Sequence, residues 1–274
     1  MNLSTILSLS VVSGFLGALT GLGGGSIMIP ILAAAGVPLR RAIAASMVTI
    51  IATSSGSAAS YVRDRLANVR AAFYLEMFTI TGAIVGATIT TLIAPRLLYF
   101  FFAAFLATSF LGVRRHMKEE MPENVKPDRL ARWLGLRGSY YDQALKRQVS
   151  YEMTRPLLGG LGMFIAGLAA GMLGIGAGAF KVSVHEVVLR MPSKVSSTTS
   201  NFIIGMTALA GASVYFASGL LYLDLAAPMA VGATIGALMG GRVLNRLSNK
   251  SVRALFLVIL VYLIVQMLYN GIKA

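Results

Sequence analysis

Along most of its length the chain alternates between apolar runs near twenty residues long and short polar interruptions. That is the pattern of helices crossing a bilayer whose hydrocarbon core is about 30 Å thick. The runs predict spans over 42–62, 72–94, 97–113, 196–217, 225–244 and 252–269. Two further apolar stretches, 3–36 and 157–189, are each interrupted by glycine. The first break is Gly21-Leu22-Gly23-Gly24-Gly25-Ser26, and the second is Gly174-Ile175-Gly176-Ala177-Gly178-Ala179. Gly14, Gly21, Gly23 and Gly25 recur, at one common offset, as Gly167, Gly174, Gly176 and Gly178. As a continuous helix the first stretch would extend roughly 50 Å, too long for one straight crossing. A hairpin of two arms fits better, although re-entrant arms and fully crossing arms give the same parity.

The predicted fold is an all-α polytopic membrane protein with two internal repeats in inverted arrangement. Each repeat holds a glycine-broken helical hairpin plus three transmembrane helices. The first transmembrane repeat covers 1–113, a basic cytoplasmic connector covers 114–155, and the second repeat covers 156–274. Gly82 with Gly86, and Gly232 with Gly236, are read as small-residue faces for close helix packing. Met1-Asn2-Leu3 lacks a basic region, so the first apolar arm is read as retained rather than as a cleaved signal.

Charge adds orientation. The chain carries 24 Lys and Arg against 10 Asp and Glu. Inverting the halves gathers most of the basic residues on one side, leaving Arg40, Arg41, Arg96 and Lys273 on the other. The positive-inside rule favours that arrangement over parallel halves. It places both termini outside, in the inner (cytoplasmic) membrane, as a multi-pass protein. The same excess of basic residues is thereby accounted for without a nucleic-acid partner. The connector holds ten Lys and Arg and six Asp and Glu, and Pro127-Asp128-Arg129-Leu130 has the form of a helix start. With Trp133, Leu134 and Leu136 it predicts a short helix on the membrane surface.

Composition also excludes chemistry. Cysteine is absent and there are only two histidines, His116 and His185, so no metal site and no cofactor are expected. No nucleophile or metal constellation stands in the spans, and the protein is read as not an enzyme. Gly21-x-Gly23-x-x-Ser26 touches a dinucleotide fingerprint, but its flanks are membrane helices rather than a strand and a βαβ unit.

The breaks are where a ligand is expected. Backbone within a bilayer must be hydrogen-bonded unless it lines a wet cavity or is packed in protein. The amide groups that start the returning arms carry the positive end of a helix dipole and suit an anion. Gly23, Gly24, Gly25 and Ser26 of the first break are therefore candidate substrate-binding residues, with Gly176, Ala177, Gly178 and Ala179 of the second. Lys181 is the sharpest single residue, since a charged side chain in a span is functional by default. It is expected either to pair with an anion or to lose its proton. His185 one turn on and Glu186 beside it are weaker candidates for proton coupling with Lys181. Thr199, Ser200 and Asn201, at the start of a span, are candidate donors to substrate oxygens. Asp64, Asp224 and Glu76 are placed near span ends, outside any acidic relay.

The motif Gly14-Phe15-Leu16-Gly17-Ala18-Leu19-Thr20-Gly21-Leu22-Gly23-Gly24-Gly25-Ser26-Ile27-Met28-Ile29-Pro30, followed by Pro38-Leu39-Arg40-Arg41-Ala42, resembles the TauE/SafE sulfite exporter family. The second break is looser: Ala177 replaces a glycine, Lys181 stands where the first half has Met28, and Ser183 stands where it has Pro30. The resemblance implies a bacterial or archaeal inner-membrane permease with two internal repeats. It also implies transport of sulfur-containing anions such as sulfite, sulfoacetate or other organosulfonates. The expected function is a secondary transporter for such an anion, exporting it with coupling to a proton gradient. The alternative is an uncoupled anion channel or facilitator. The expected partners are a small anionic substrate and the lipid bilayer.

Overall fold

The computed structural model describes residues 2–20, 23–63, 67–115, 125–142, 146–244, 261–262 and 264–273. Gly21, Leu22, Asp64, His116 and the first part of the last predicted span lie outside the described residues. The chain is mostly helical. In order come α1 (Leu3–Thr20), α2 (Gly25–Ala34), α3 (Leu39–Arg63), α4 (Val69–Leu92), α5 (Pro95–Arg115) and the short α6 (Arg129–Trp133). A hairpin of β1 (Arg137–Asp142) and β2 (Arg147–Glu152) follows, then α7 (Pro156–Leu173) and α8 (Gly178–Ser183). The chain closes with α9 (Ser193–Ala217), α10 (Leu223–Leu244) and α11 (residues 264–273). Between α8 and α9 the helix continues as a π turn, Val184–Val188.

Among the described residues four helices are long and apolar enough to cross a membrane: Val69–Leu92, Pro156–Leu173, Val195–Ala217 and Leu223–Gly240. With this composition the chain is an integral membrane protein. Its helix starts follow local chemistry. Asn68 caps α4, its side-chain oxygen accepting from the Ala71 amide at 2.9 Å. Asp128 caps α6 in the same way at 2.8 Å, and Pro156 opens α7 where no amide donor is needed.

Helix packing is reciprocal. α1 lies against α10, α7 lies against α4, and α3 crosses α9 at the centre. At the α4–α7 seam a Cβ on Gly82 would come within 2.2 Å of the Phe164 carbonyl oxygen, and one on Gly86 within 2.1 Å of that of Leu168. At the α1–α10 seam Gly236 stands in the same relation to Val11, and Gly240 to Phe15. Gly14 meets Ala233 and Gly167 meets Thr79. By these contacts Gly82 and Gly86 match Gly236 and Gly240, one helical turn beyond the glycines that sequence spacing suggests. Without a hydrophobic drive between helices in lipid, such close backbone approach is what holds them together.

The connector differs from expectation. The short helix forms, and Trp133 is exposed while Leu136 is buried. The unexpected part is the two-stranded antiparallel hairpin, with Arg137 opposite Glu152 and Asp142 opposite Arg147. Arg137 and Glu152 thus bring opposite charges together at one end of the ladder. Alternate residues turn inward: Tyr140 is buried, and Val149 and Tyr151 pack beside it on Leu136, Met153 and Leu189. Burial, above all, raises the Tyr151 phenol above its ordinary value of 10, so it meets its neighbours as a neutral hydroxyl.

Candidate functional site

The two breaks meet. α7 ends at Gly174, whose φ of 64° is the left-handed region that glycine enters without steric cost. Ala177, at φ 50°, starts α8 from the same region. On the other side Gly23 has φ 72° and α2 begins at Gly25. A Cβ on Gly25 would stand 2.9 Å from the Gly174 carbonyl oxygen, so only glycine lets the breaks approach this closely. Gly24, Gly25, Ser26, Gly176, Ala177 and Gly178 are buried, and Gly23 is half-buried.

Hydroxyl groups from neighbouring helices satisfy the carbonyls that the breaks release. Ser46 of α3 donates to the Gly174 carbonyl at 2.9 Å. Thr90 of α4 donates to Met172 at 2.9 Å and Tyr215 of α9 donates to Gly171 at 2.7 Å. In the first break Ser13 donates to the Gly24 carbonyl and Ser26 to that of Gly23 at 3.1 Å. Backbone interrupted at membrane depth is thus packed in protein and hydrogen-bonded, as the bilayer requires.

Lys181 follows immediately in α8 and is fully buried. Its ammonium donates to Thr207 Oγ1 at 2.9 Å. Thr207 Oγ1 lies 3.2 Å from Glu76 Oε1, to which it can donate, and Glu76 is buried as well. Three helices, α8, α9 and α4, therefore contribute one residue each to a buried chain of cation, hydroxyl and carboxylate. Glu76 Oε2 has no hydrogen-bond partner among the described residues. His185 is buried in the π turn, its Nδ1 3.3 Å from the Ser196 carbonyl. A carbonyl can only accept, so Nδ1 donates there, and Nε2 is unpartnered among the described residues. π turns of this kind recur at functional sites because they displace a side chain from the regular helical position.

The predicted oxygen donors separate. Thr199 is buried and its Oγ1 accepts from the Asn68 amide at 3.0 Å, joining α9 to the start of α4. Ser200 donates to the Gly178 carbonyl at 3.4 Å, against the start of α8. Asn201 is half-buried, and its backbone carbonyl accepts from Ser54 at 2.6 Å. Glu186 is half-buried on the π turn. Ala179 is helical, between Gly178 and Phe180.

Sequence reasoning missed Glu76 and Thr207. The rule that singled out Lys181, a charge inside an apolar run, applies equally to Glu76. Placing the span's start at Ala72 put this residue near its end, whereas it lies two turns inside α4 and faces the protein. Thr207 gave no sequence signal beyond a lone hydroxyl on an apolar helix.

Broken helices that meet inside a bilayer-spanning bundle, with buried charge beside the breaks, are the architecture of a membrane transport protein. The family described as "Sulfite exporter TauE/SafE" matches residues 6–267, and the chain belongs to that family. "Probable membrane transporter protein YunE" of Bacillus subtilis is 22% identical over 99% of this chain and 99% of its own. "Probable membrane transporter protein YdhB" of the same organism is 24% identical over 86% of each. "Probable membrane transporter protein MJ0441" of Methanocaldococcus jannaschii is 44% identical over a shorter stretch, 22% of this chain and 23% of its own. These relatives are named as transporters, not enzymes. No solved structure matches the chain.

Proposed function

We propose that the protein is a secondary transporter that exports a sulfur-containing anion, such as sulfite, sulfoacetate or another organosulfonate, across the cytoplasmic membrane with coupling to protons. In this reading 1–113 and 156–274 are inverted repeats, supported by the reciprocal α1–α10 and α4–α7 seams. The basic connector 114–155 then faces the cytoplasm. The observation that carries the proposal is the buried chain Lys181–Thr207–Glu76 beside the meeting point of the two breaks.

The chemistry follows from charge balance. A buried ammonium needs a counter-charge, because desolvating an unpaired ion costs several kcal/mol. Glu76 supplies it while ionised. Protonating Glu76 removes that counter-charge, and an incoming monoanion takes its place beside Lys181. Anion and proton occupancy are thus linked, and efflux of an accumulated anion carries a proton with it. A sulfonate presents three acceptor oxygens, matched by Lys181 and by hydroxyl and amide donors from α9 and the two breaks. Glycines at 23–25, 176 and 178 let the backbone reach the ligand without a Cβ between.

The test is reconstitution in vesicles loaded with sulfoacetate or sulfite and a pH-sensitive dye. Efflux accompanied by luminal alkalinisation, abolished by Lys181→Met, is the expected result. Efflux without a proton signal would leave the uncoupled facilitator. Absence of flux for every sulfur oxyanion, in a preparation with a normal thermal transition, would remove the substrate assignment.

A further inference from the structure

A second basic feature lies outside the membrane-buried chain. A cavity of about 930 Å³ opens between the β-hairpin and the ends of the helices beneath it. Arg70 of α4, Arg137 and Arg147 of the hairpin and Arg190 after the π turn line it, and among the described residues Glu152 is the one carboxylate on its wall. Arg137 stands across the ladder from Glu152, and Arg147 from Asp142. The four arginines come from three separate parts of the chain, and all are exposed. Tyr151, Val149 and Pro192 give the same wall an apolar, partly aromatic surface.

We propose that this cavity binds a multiply charged organic anion of nucleotide size, and that its occupancy holds the seam between α4 and α9 closed. Small-ligand pockets run to roughly 300–1,000 Å³, so the space far exceeds a sulfite or sulfoacetate ion. Guanidinium groups bind phosphate oxygens in pairs and stack on flat rings, and an aromatic wall beside them suits a base joined to a polyphosphate.

The connection to the seam runs through Asn68. Its Nδ2 donates to Tyr151 Oη at 2.9 Å and to the Arg137 carbonyl at 3.2 Å, tying α4 to the hairpin. Its backbone amide donates to Thr199 of α9 at 3.0 Å. Asn68 and Glu76 lie two turns apart along one face at the start of α4, and Thr199 and Thr207 lie two turns apart along one face of α9. The Asn68–Thr199 contact and the Glu76–Thr207 contact are therefore two rungs of one ladder. A ligand that draws Arg137 and Arg147 toward Arg70 and Arg190 fastens the outer rung. It thereby resists separation of the inner one.

The experiment uses the purified full chain, with ATP, inorganic tripolyphosphate and adenosine as probes in thermal-shift and calorimetric titrations. ATP is expected to raise the unfolding temperature and bind stoichiometrically, tripolyphosphate to bind more weakly, and adenosine not to bind. Arg137→Glu with Arg147→Glu should weaken ATP at least about tenfold, since hydrogen bonds to charged groups are worth about that factor or more. Arg137→Lys with Arg147→Lys should retain most of the affinity. In vesicles, ATP on the hairpin side should slow flux at least twofold in the native protein and leave the double Glu variant unaffected. No binding by either polyphosphate would overturn the proposal, as would affinity unchanged by the charge reversal. Binding confined to anionic phosphatidylglycerol vesicles would assign the arginines to lipid headgroups and overturn it too. Unchanged flux with ATP bound would overturn the control of the seam. Lys181→Met is expected to leave ATP binding intact, so failure here is separable from failure of the sulfonate assignment, which is read from sulfonate binding alone.

Discussion

The first and second breaks share a backbone plan and differ in what they hold. Both interrupt an apolar helix with glycine, both place a glycine in the left-handed region, and both have carbonyls bonded by serine. At the first, Met28 is fully buried and packs with Ile6, Leu32, Ala42, Ala45 and Met229. At the second, Lys181 occupies the position that Met28 holds in the first, and it reaches Thr207 and, beyond it, Glu76. Thr53 stands in α3 where Thr207 stands in α9, but among the described residues the surroundings of the first break offer neither cation nor carboxylate there: Ala230 of α10 stands where Glu76 does in α4. Similar breaks thus have different surroundings. The lesson is that the two breaks share a backbone plan while only the second has a buried cation and carboxylate beside it.

The largest expected effect comes from erasing that difference. Glu76→Ala or Lys181→Ala alone leaves an uncompensated buried charge and should cost about 3–5 kcal/mol of stability. Glu76→Ala with Lys181→Met, which gives the second break the apolar surroundings of the first, should recover most of that stability while abolishing flux. Thermal unfolding and vesicle efflux on all three variants decide it; a double variant that still transports would separate the pair from the site.

Next come the seams. Gly82→Ala and Gly236→Ala each place a Cβ against a carbonyl oxygen of the facing helix and should each cost about 1–3 kcal/mol. Matched losses in unfolding temperature would sharpen the equivalence of the halves, whereas a loss at only one seam would break it. Asn68→Ala removes a helix cap and should cost about 1 kcal/mol. It should also raise hydrogen exchange in β2, because Tyr151 loses its donor. The smallest effect is expected at Ala177, where glycine relieves a left-handed backbone. Ala177→Gly should stabilise the protein by under about 1 kcal/mol, the gain being offset by the freer unfolded chain. A loss of stability there would show that the Ala177 methyl group contributes packing that the first break lacks.

Much of this architecture was legible in the sequence because lipid enforces a simple code. Apart from the last span, whose start lies outside the described residues, apolar runs marked the helices to within a few residues, and the repeated glycines marked both breaks. Lys181 stood out because charge inside an apolar run is rare. Glu76 did not, because span ends were set by hydropathy alone, and a carboxylate two turns inside a helix looks peripheral until its partner is known. The register of the glycine seams escaped for a related reason. Glycines at 232, 236 and 240 repeat every fourth residue, so spacing fits two alignments, and only contact with Leu7, Val11 and Phe15 chooses between them. The hairpin escaped because residues 142–146 lack the glycine or asparagine that advertises a tight turn. Its alternation of Tyr140, Val149 and Tyr151 is short and lies amid charge.

The exchange of helices across the molecule also constrains how it is made. α1 is synthesised before the other helices described, yet its glycine-matched partner, α10, emerges only after α2 to α9. Until then α1 must wait in the membrane with its packing face against lipid or against whatever assists insertion. α4 waits similarly for α7. Neither half can complete its own interfaces, so the bundle closes only when both are present. A truncated chain would therefore display unmatched small-residue faces, a feature by which quality-control machinery could distinguish it from the finished protein.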